Sequence, residues 1–349
     1  MFVPPRCPNP ACDHHLAPKG RFYVCIGAYS VRCRTEPVPR FRCRTCRQGF
    51  SRQTFRYDYR DRRPDANETV FLLLCSGVGL RQIGRVLKID VHSVQGKQRK
   101  MARTFGHLHH NLCPKLPPGR TYVLDEEETF EMKSIRPLTV PVVIDKEHWF
   151  VVATGVGSIR RRAKAGSWRR RLQDKDELAN GKRPDQSREV TRAALQEVAR
   201  LSPTGPLVLR SDDKAMYRVL AKELFGERVQ HETTPGTRVR NSQNPLFPIN
   251  VTLAMMRDNC GRLRRRSWLV SKKAERLQHH LLLFTVYRNY VRRRFNYDEE
   301  ADTPARLLGL LPRNLRPHEA LAWRQDWGDR SIHPMSECGS RTVREPVAA

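Results

Sequence analysis

At 349 residues the chain is long enough for two or three domains, and its 65 Lys and Arg against 36 Asp and Glu, a formal charge of +29 with pI near 10.4, favour a polyanionic partner, because each phosphate neutralised releases a counterion. No apolar run approaches the roughly 18 to 20 residues of a spanning helix, and the opening MFVPPRCPNP has no signal-peptide apolar region. The expectation is a chain without a membrane partner, in the reducing cytoplasm, whose ten cysteines are metal ligands or buried thiols rather than disulfides.

Residues 1–60 are rich in Cys, Arg, Pro and aromatics and show little helical periodicity. CPNPAC supplies Cys7 and Cys12, and FRCRTC supplies Cys43 and Cys46. Two short-spaced pairs form the pattern of a zinc ribbon, since each pair presents two thiolates to one tetrahedral Zn(II). The block is too small to hold itself together by burial, so the metal would supply folding energy. Four protein ligands leave no open position, so the zinc is expected to be structural. The alternative is four unrelated buried cysteines. Cys25, Cys33, His14 and His15 are weaker candidates for the same role.

After a polar hinge at Arg60 to Asn67, the spacing of Val70, Phe71 and Leu74, then Leu80, Ile83, Val86 and Leu87, predicts helices over 66–112. Within GLRQIGRVLKIDVHSVQGKQRKM, Leu80 to Leu87 form a first helix, Lys88, Ile89 and Asp90 a turn, and Val91 and Val94 anchor a second helix. Its exposed face is expected to offer His92, Ser93, Gln95, Lys97 and Gln98 to base edges or phosphates, as in a helix-turn-helix. An ordinary helical hairpin with a solvated basic face is the plainer alternative.

CPKLPPGRT marks a boundary, and strands and helices then mix over 118–296. TYVLDEE, LTVPVVID, WFVVATGV and PLVLRSD read as strands. Glu189 to Leu201, Lys214 to Phe225, Asn250 to Leu263 and Lys272 to Arg294 read as helices. The basic, polar stretch 160–188 reads as an exposed loop or insertion, and 297–349 as a tail with a frayed end. The fold class is therefore α/β, preceded by the cysteine block and the helical unit.

Asp125 closes TYVLD, and Asp212 closes PLVLRSD. A carboxylate ending a buried strand is costly unless it is paired or binds a cation. Two of them in one α/β domain suit Mg(II), which takes oxygen ligands. For either residue taken singly the alternative is a turn or helix cap, and Asp212 is placed to cap the helix after it. Glu126, Glu127, Glu128 and Glu131 crowd the first strand end; one is available to assist with the metal and the others are expected to be solvated. Three basic runs, Arg160 to Arg171, Arg262 to Lys273 and Arg288 to Arg294, interleave Trp and Tyr. They suit backbone phosphates and stacking on unpaired bases, or form solvated helix faces.

SDDKAMY, INVTLAMMRDNCGRLRRRSWLVSKKAE, CPNPAC and FRCRTCRQGF together resemble insertion-sequence DDE transposases with an N-terminal zinc ribbon and helix-turn-helix, by pattern the insertion-sequence-one and Merlin-related groups. The resemblance covers roughly residues 5 to 295. It implies a zinc ribbon (1–60), a helix-turn-helix domain (66–112), an RNase H-like catalytic core (118–296) and a tail (297–349). It implies catalytic Asp125, and Asp212 in a D-x(4)-Y motif completed by Tyr217, with Asp213 as the fallback. The third ligand, usually Glu, falls at Asn250, seven residues before Arg257 of R-x-x-x-x-R-L-R-R. Asp258 and Glu275, the latter in S-x-x-x-E, are the acidic alternatives. Two Mg2+ or Mn2+ ions on Asp125, Asp212 and Asn250 are implied, with DNA contacts by Arg257, Arg264, Arg265 and Arg266. The implied partners are terminal inverted repeats and target DNA, bound by a homodimer or higher oligomer at the nucleoid, with strand cleavage and transfer as the activity. The Asn in the Glu slot keeps two alternatives open: a domesticated, non-catalytic DNA-binding regulator and an RNase H-like nuclease.

Overall fold

The computed structural model describes residues 2–9, 11–30, 36–56, 58, 61–266 and 268–323. Its N-terminal block holds a one-turn helix α1 (Asp13–Leu16) and three antiparallel strands, β1 (Tyr23–Tyr29), β2 (Val38–Cys43) and β3 (Gly49–Ser51), in the order β1-β2-β3. Its own core is small: Phe22, Phe41, Phe50 and Phe55 around Cys7, Cys12 and Cys43. Cys33 lies outside the described residues.

Three helices follow: α2 (Asn67–Leu74), α3 (Leu80–Leu87) and α4 (Val91–Leu112). The α3–α4 turn has clear local causes. Lys88 ends α3 in the left-handed region at φ 53°. Gly84 lets the chain fold back, since a Cβ there would stand 2.8 Å from the Ile89 carbonyl oxygen. Asp90 caps α4 by accepting from the His92 N–H at 2.8 Å. Val86, expected in the packing of α3, is instead 67% exposed. α4 then runs on through Met101, Phe105, Leu108 and Leu112 into the main core.

The large sheet consists of β4 (Thr121–Phe130), β5 (Pro137–Asp145), β6 (Val151–Thr154), β7 (Gly157–Ser158), β8 (Leu207–Asp212) and β9 (Val229–Thr234). Its order is β6-β5-β4-β8-β9, with β7 also pairing β5. β4, β5 and β6 are antiparallel neighbours; β8 joins β4, and β9 joins β8, in parallel. The flanking helices are α5 (Trp168–Asn180), α6 (Ser187–Leu201), α7 (Ala215–Phe225), α8 (Phe247–Asn259) and α9 (Ala274–Val286), the last continued by one π-helical turn, Tyr287–Val291. Alternation along β4 sorts its side chains between two cores. Tyr122 and Leu124 pack with Leu195, Val198, Tyr217 and Leu220 of α6 and α7. Val123 packs with Ile249, Leu253, Met256 and Leu281 of α8 and α9. The molecule is thus mixed α/β with a cysteine cluster at its N-terminal end.

Two sequence expectations need correction. The basic stretch 160–188 is not all loop: Ser167 caps α5, accepting from the Arg170 N–H at 3.2 Å, and the helix buries none of its residues. The segment after Asn296 is not a tail as far as Trp323. Short helices α10 (Pro304–Leu307) and α11 (Pro317–Leu321) bring Leu310, Leu311, Leu315 and Leu321 into the same core as Phe71 and Phe105, and α11 packs on α2 and α4. That core also joins α2, α3 and α4 to the large sheet, so the two share one interior. Among the described residues no helix is long and apolar enough to cross a membrane.

Candidate functional site

The cysteine pairs converge. Cys7 and Cys12 flank the turn before α1, while Cys43 ends β2 and Cys46 follows in the next turn. All four sulfurs lie within 4.8 Å of one another, with Cys7 to Cys46 at 3.4 Å and Cys12 to Cys43 at 3.8 Å. A tetrahedron with Zn–S bonds of about 2.3 Å has edges of about 3.8 Å, so the donor set fits a structural metal such as zinc. Burial would raise the Cys46 thiol, but hydrogen bonds from the Gln48 backbone, Cys7 and Asn9 outweigh it and bring the group down to about 7. The weaker candidates stand aside. His15 Nδ1 donates to the Cys7 carbonyl at 2.8 Å, His14 accepts from the Lys19 N–H, and Cys25 is exposed.

The sheet brings the two aspartates together, but Asp125 does not close its strand as expected: β4 runs on to Phe130, paired with β5 throughout, and only Asp212 ends its strand. Thr121, Tyr122 and Val123 of β4 pair with Val208, Leu209 and Arg210 of β8. Asp125 and Asp212 each come two residues after the last pair, so they lie at the same step and on the same face. Burial pushes Asp125 up to about 6; the charges of Asp212 and Glu126 add to the rise, while the Glu126 N–H, donating at 2.7 Å, and the charge of Arg240 oppose it. Asp212 accepts from the Lys214 N–H at 3.1 Å in the turn before α7 but does not cap that helix, whose N-cap is Lys214. Among the described residues no third Asp, Glu, His or Cys forms a compact ligand cluster with the two aspartates; the four cysteines alone form such a cluster.

Asn250 sits in the first turns of α8, half-buried, on a helix packed against β4 and β5. The acidic alternatives are engaged elsewhere or solvated. Asp213 is exposed. Asp258 is 81% exposed and faces Arg264 at 3.5 Å, and Glu275 is 62% exposed and faces His279 at 3.7 Å.

The glutamates after Asp125 are ion-paired rather than solvated. Glu126 accepts from Thr191 at 3.1 Å and Thr139 at 2.7 Å, and Lys214 Nζ bridges both its oxygens at 3.0 Å. Its oxygens are committed, so it is no spare metal ligand. It ties β4 to the residue that positions Asp212. Tyr217 lies beside it, its phenol held neutral by burial and then by the charges of Glu126, Asp125 and Asp212. Glu127 is buried between Arg265 at 3.0 Å and Arg257 at 3.7 Å. Glu128 pairs with Arg161, and Glu131 with Arg183. Lys214, Thr139 and Thr191 were not foreseen as site residues. The only sequence signal was Lys214 two places after Asp212.

The expected DNA contacts divide. His92 and Ser93 are exposed and Gln95 is half-buried. Lys97 and Gln98 are not on that face: they are 5% and 1% exposed. Lys97 Nζ donates to Asn67 Oδ1 at 2.7 Å and to the Arg63 carbonyl at 2.6 Å, and pairs with Asp61 at 3.3 Å. The reason is helical period: Val94, Lys97, Gln98 and Met101 form one buried stripe. Arg257, Arg264, Arg265 and Arg266 remain exposed, the first three ion-paired as described and Arg266 lying over the Trp268 ring. No protein-family model and no curated protein matches the chain.

Proposed function

We propose that the chain is a DNA-acting enzyme of the DDE transposase kind, with an RNase H-like core that cleaves and joins strands using divalent ions on Asp125 and Asp212. One observation carries the reading: two aspartates at matching steps of adjacent parallel strands, in a sheet of three antiparallel strands extended by two parallel ones. Asp125 and Asp212 supply negative charge, and Asn250 supplies a neutral amide oxygen that adds no charge. A divalent ion bound there would act as a Lewis acid toward the attacking water and the leaving 3′ oxygen. The repulsion and burial that raise Asp125 are the state a cation would relieve. Lys214 and Glu126 hold the two strands in register, and Arg240 brings positive charge beside Asp125, suited to a phosphodiester. The cysteine block would hold one zinc, and His92, Ser93 and Gln95 would read the element ends.

The test is cleavage of duplex DNA carrying the sequences that flank the gene, in Mg2+ or Mn2+. The parent chain should cut it. Asp125→Asn and Asp212→Asn should each reduce cutting to background while binding the same DNA as tightly as the parent. One observation favours a second reading, a regulator that binds without cutting: Asn250 stands in the Glu slot and no described carboxylate completes the pair. A parent that binds these ends yet never cuts them in either metal selects that reading.

A further inference from the structure

α4 packs along α9, and of Arg262, Arg276 and His279 only the last faces an acid among the described residues, Glu275 at 3.7 Å. Arg262, in the turn after α8, donates to Ser271 Oγ at 3.2 Å and to Gln98 Oε1 at 3.4 Å, both neutral acceptors. Several buried nitrogens there lack any partner: Gln98 Nε2 on α4, and Arg276 Nε and His279 Nδ1 on α9. Neither Arg262 nor Arg276 forms an ion pair among the described residues. Arg262 is pushed down to about 10 by burial and then by the charge of Arg276. Burial, and then the charges of Arg276, Arg99 and Arg262, lower His279, opposed by Glu275, which is itself 62% exposed. Arg99, next to Gln98 on α4, is exposed.

Guanidinium groups that lose hydration beside one another repel, and ordered water does not neutralise them. A planar fork of N–H donors matches a phosphate oxyanion. We propose that the α4–α9 seam is an oxyanion site for a phosphate group, held by Arg262 and Arg276, with Gln98 Nε2 as a neutral donor and Arg99 at its mouth. The phosphate comes from a DNA backbone, a source that rests on the DNA-binding reading above, or from free inorganic phosphate. In either case it joins the helix-turn-helix to the helices that cover the large sheet.

Thermal unfolding of the full chain in sodium phosphate, against sodium chloride of equal ionic strength, is the first arm. Phosphate should raise Tm beyond chloride in a saturable way. Arg276→Gln and Arg99→Gln should each lose that increment; Lys222→Gln, removing the same charge from an exposed position on α7, should keep it. No phosphate-specific increment in the parent, or one that survives both seam variants, overturns the site. Arg99 is exposed, so its variant keeps the test valid if Arg276→Gln folds poorly. The second arm measures binding of a duplex of arbitrary sequence. If DNA supplies the phosphate, each seam variant should bind more weakly, with a log K against log salt slope shallower by about one. Unchanged DNA binding with a lost phosphate increment assigns the site to the free ion. Neither readout needs DNA cutting, so a chain that never cuts would remove the transposase reading and leave this site standing.

Discussion

In the N-terminal block four sulfurs converge inside a small sheet; in the large sheet two carboxylates meet only after β4, β8 and the helices between them are in place. The first site is closed by four like ligands from two turns. The second is open, unfinished by any third described carboxylate, and braced by a Glu126–Lys214 pair whose members lie 88 residues apart. The contrast teaches how each site relates to stability. A closed thiolate site adds to folding when metal binds. A buried carboxylate beside another, with no cation to offset it, costs stability while it is charged.

The sharpest way to break this comparison is Cys43→Ser. The parent should hold close to one zinc per chain, and the variant should lose it and unfold its N-terminal block, since structural zinc contributes on the order of 10 kcal/mol of folding free energy in small domains. Elemental analysis and proteolysis of residues 1–60 would read this. Undiminished zinc content would remove the cluster assignment.

Asp125→Asn should act in the opposite sense. The folded acid sits at about 6 against 3.8 unfolded, so the native chain holds its proton more tightly. This contribution to stability is fully present below 3.8 and is lost as pH rises through about 6. Above that range the charged carboxylate costs about 3 kcal/mol, an order-of-magnitude figure. In the absence of divalent metal the variant should therefore be more stable than the parent at pH 8, with the gap closing in acid. Mn2+ should narrow the gap by stabilising the parent. A variant less stable than the parent at pH 8 without metal would contradict the idea that the pair is held at a cost.

The smallest effects should separate the two scaffolds. Lys214→Met leaves the Glu126 carboxylate, 8% exposed, without its cation, and should cost about 1–2 kcal/mol, moderated by the 41% exposure of Lys214. His15→Ala removes one bond to the Cys7 carbonyl and should cost about 0.5–1 kcal/mol. Urea unfolding would compare them. A neutral Lys214→Met would mean the aspartate site does not depend on that long-range tie.

Much of this molecule was readable along the chain where the signal is local. Each strand of the large sheet lay in an apolar run, except the two-residue β7 and β9, VQHETT, whose polar edge-strand composition hid it. The α3–α4 turn was readable from Lys88, Ile89 and Asp90, because left-handed backbone and capping are properties of a few adjacent residues. Lys97 and Gln98 were misassigned because their polarity outweighed their spacing. Their place on the Val94–Met101 stripe was legible, but the acid that makes burial of Lys97 tolerable, Asp61, lies in the hinge, 36 residues back along the chain. The leucines of 307–315 carried an unused apolar signal.

By itself, then, the sequence determined the cysteine donor set, the apolar runs that lead into Asp125 and Asp212, and the basic surplus, because ligand type, alternation and charge are written residue by residue. Only the tertiary structure decided that the two aspartates share a face, that Glu126 is paired with Lys214, and that Arg262 donates to the neutral Ser271 and Gln98. Those outcomes depend on which distant side chain fills each remaining hydrogen bond and charge, and that is settled by strand register and helix packing.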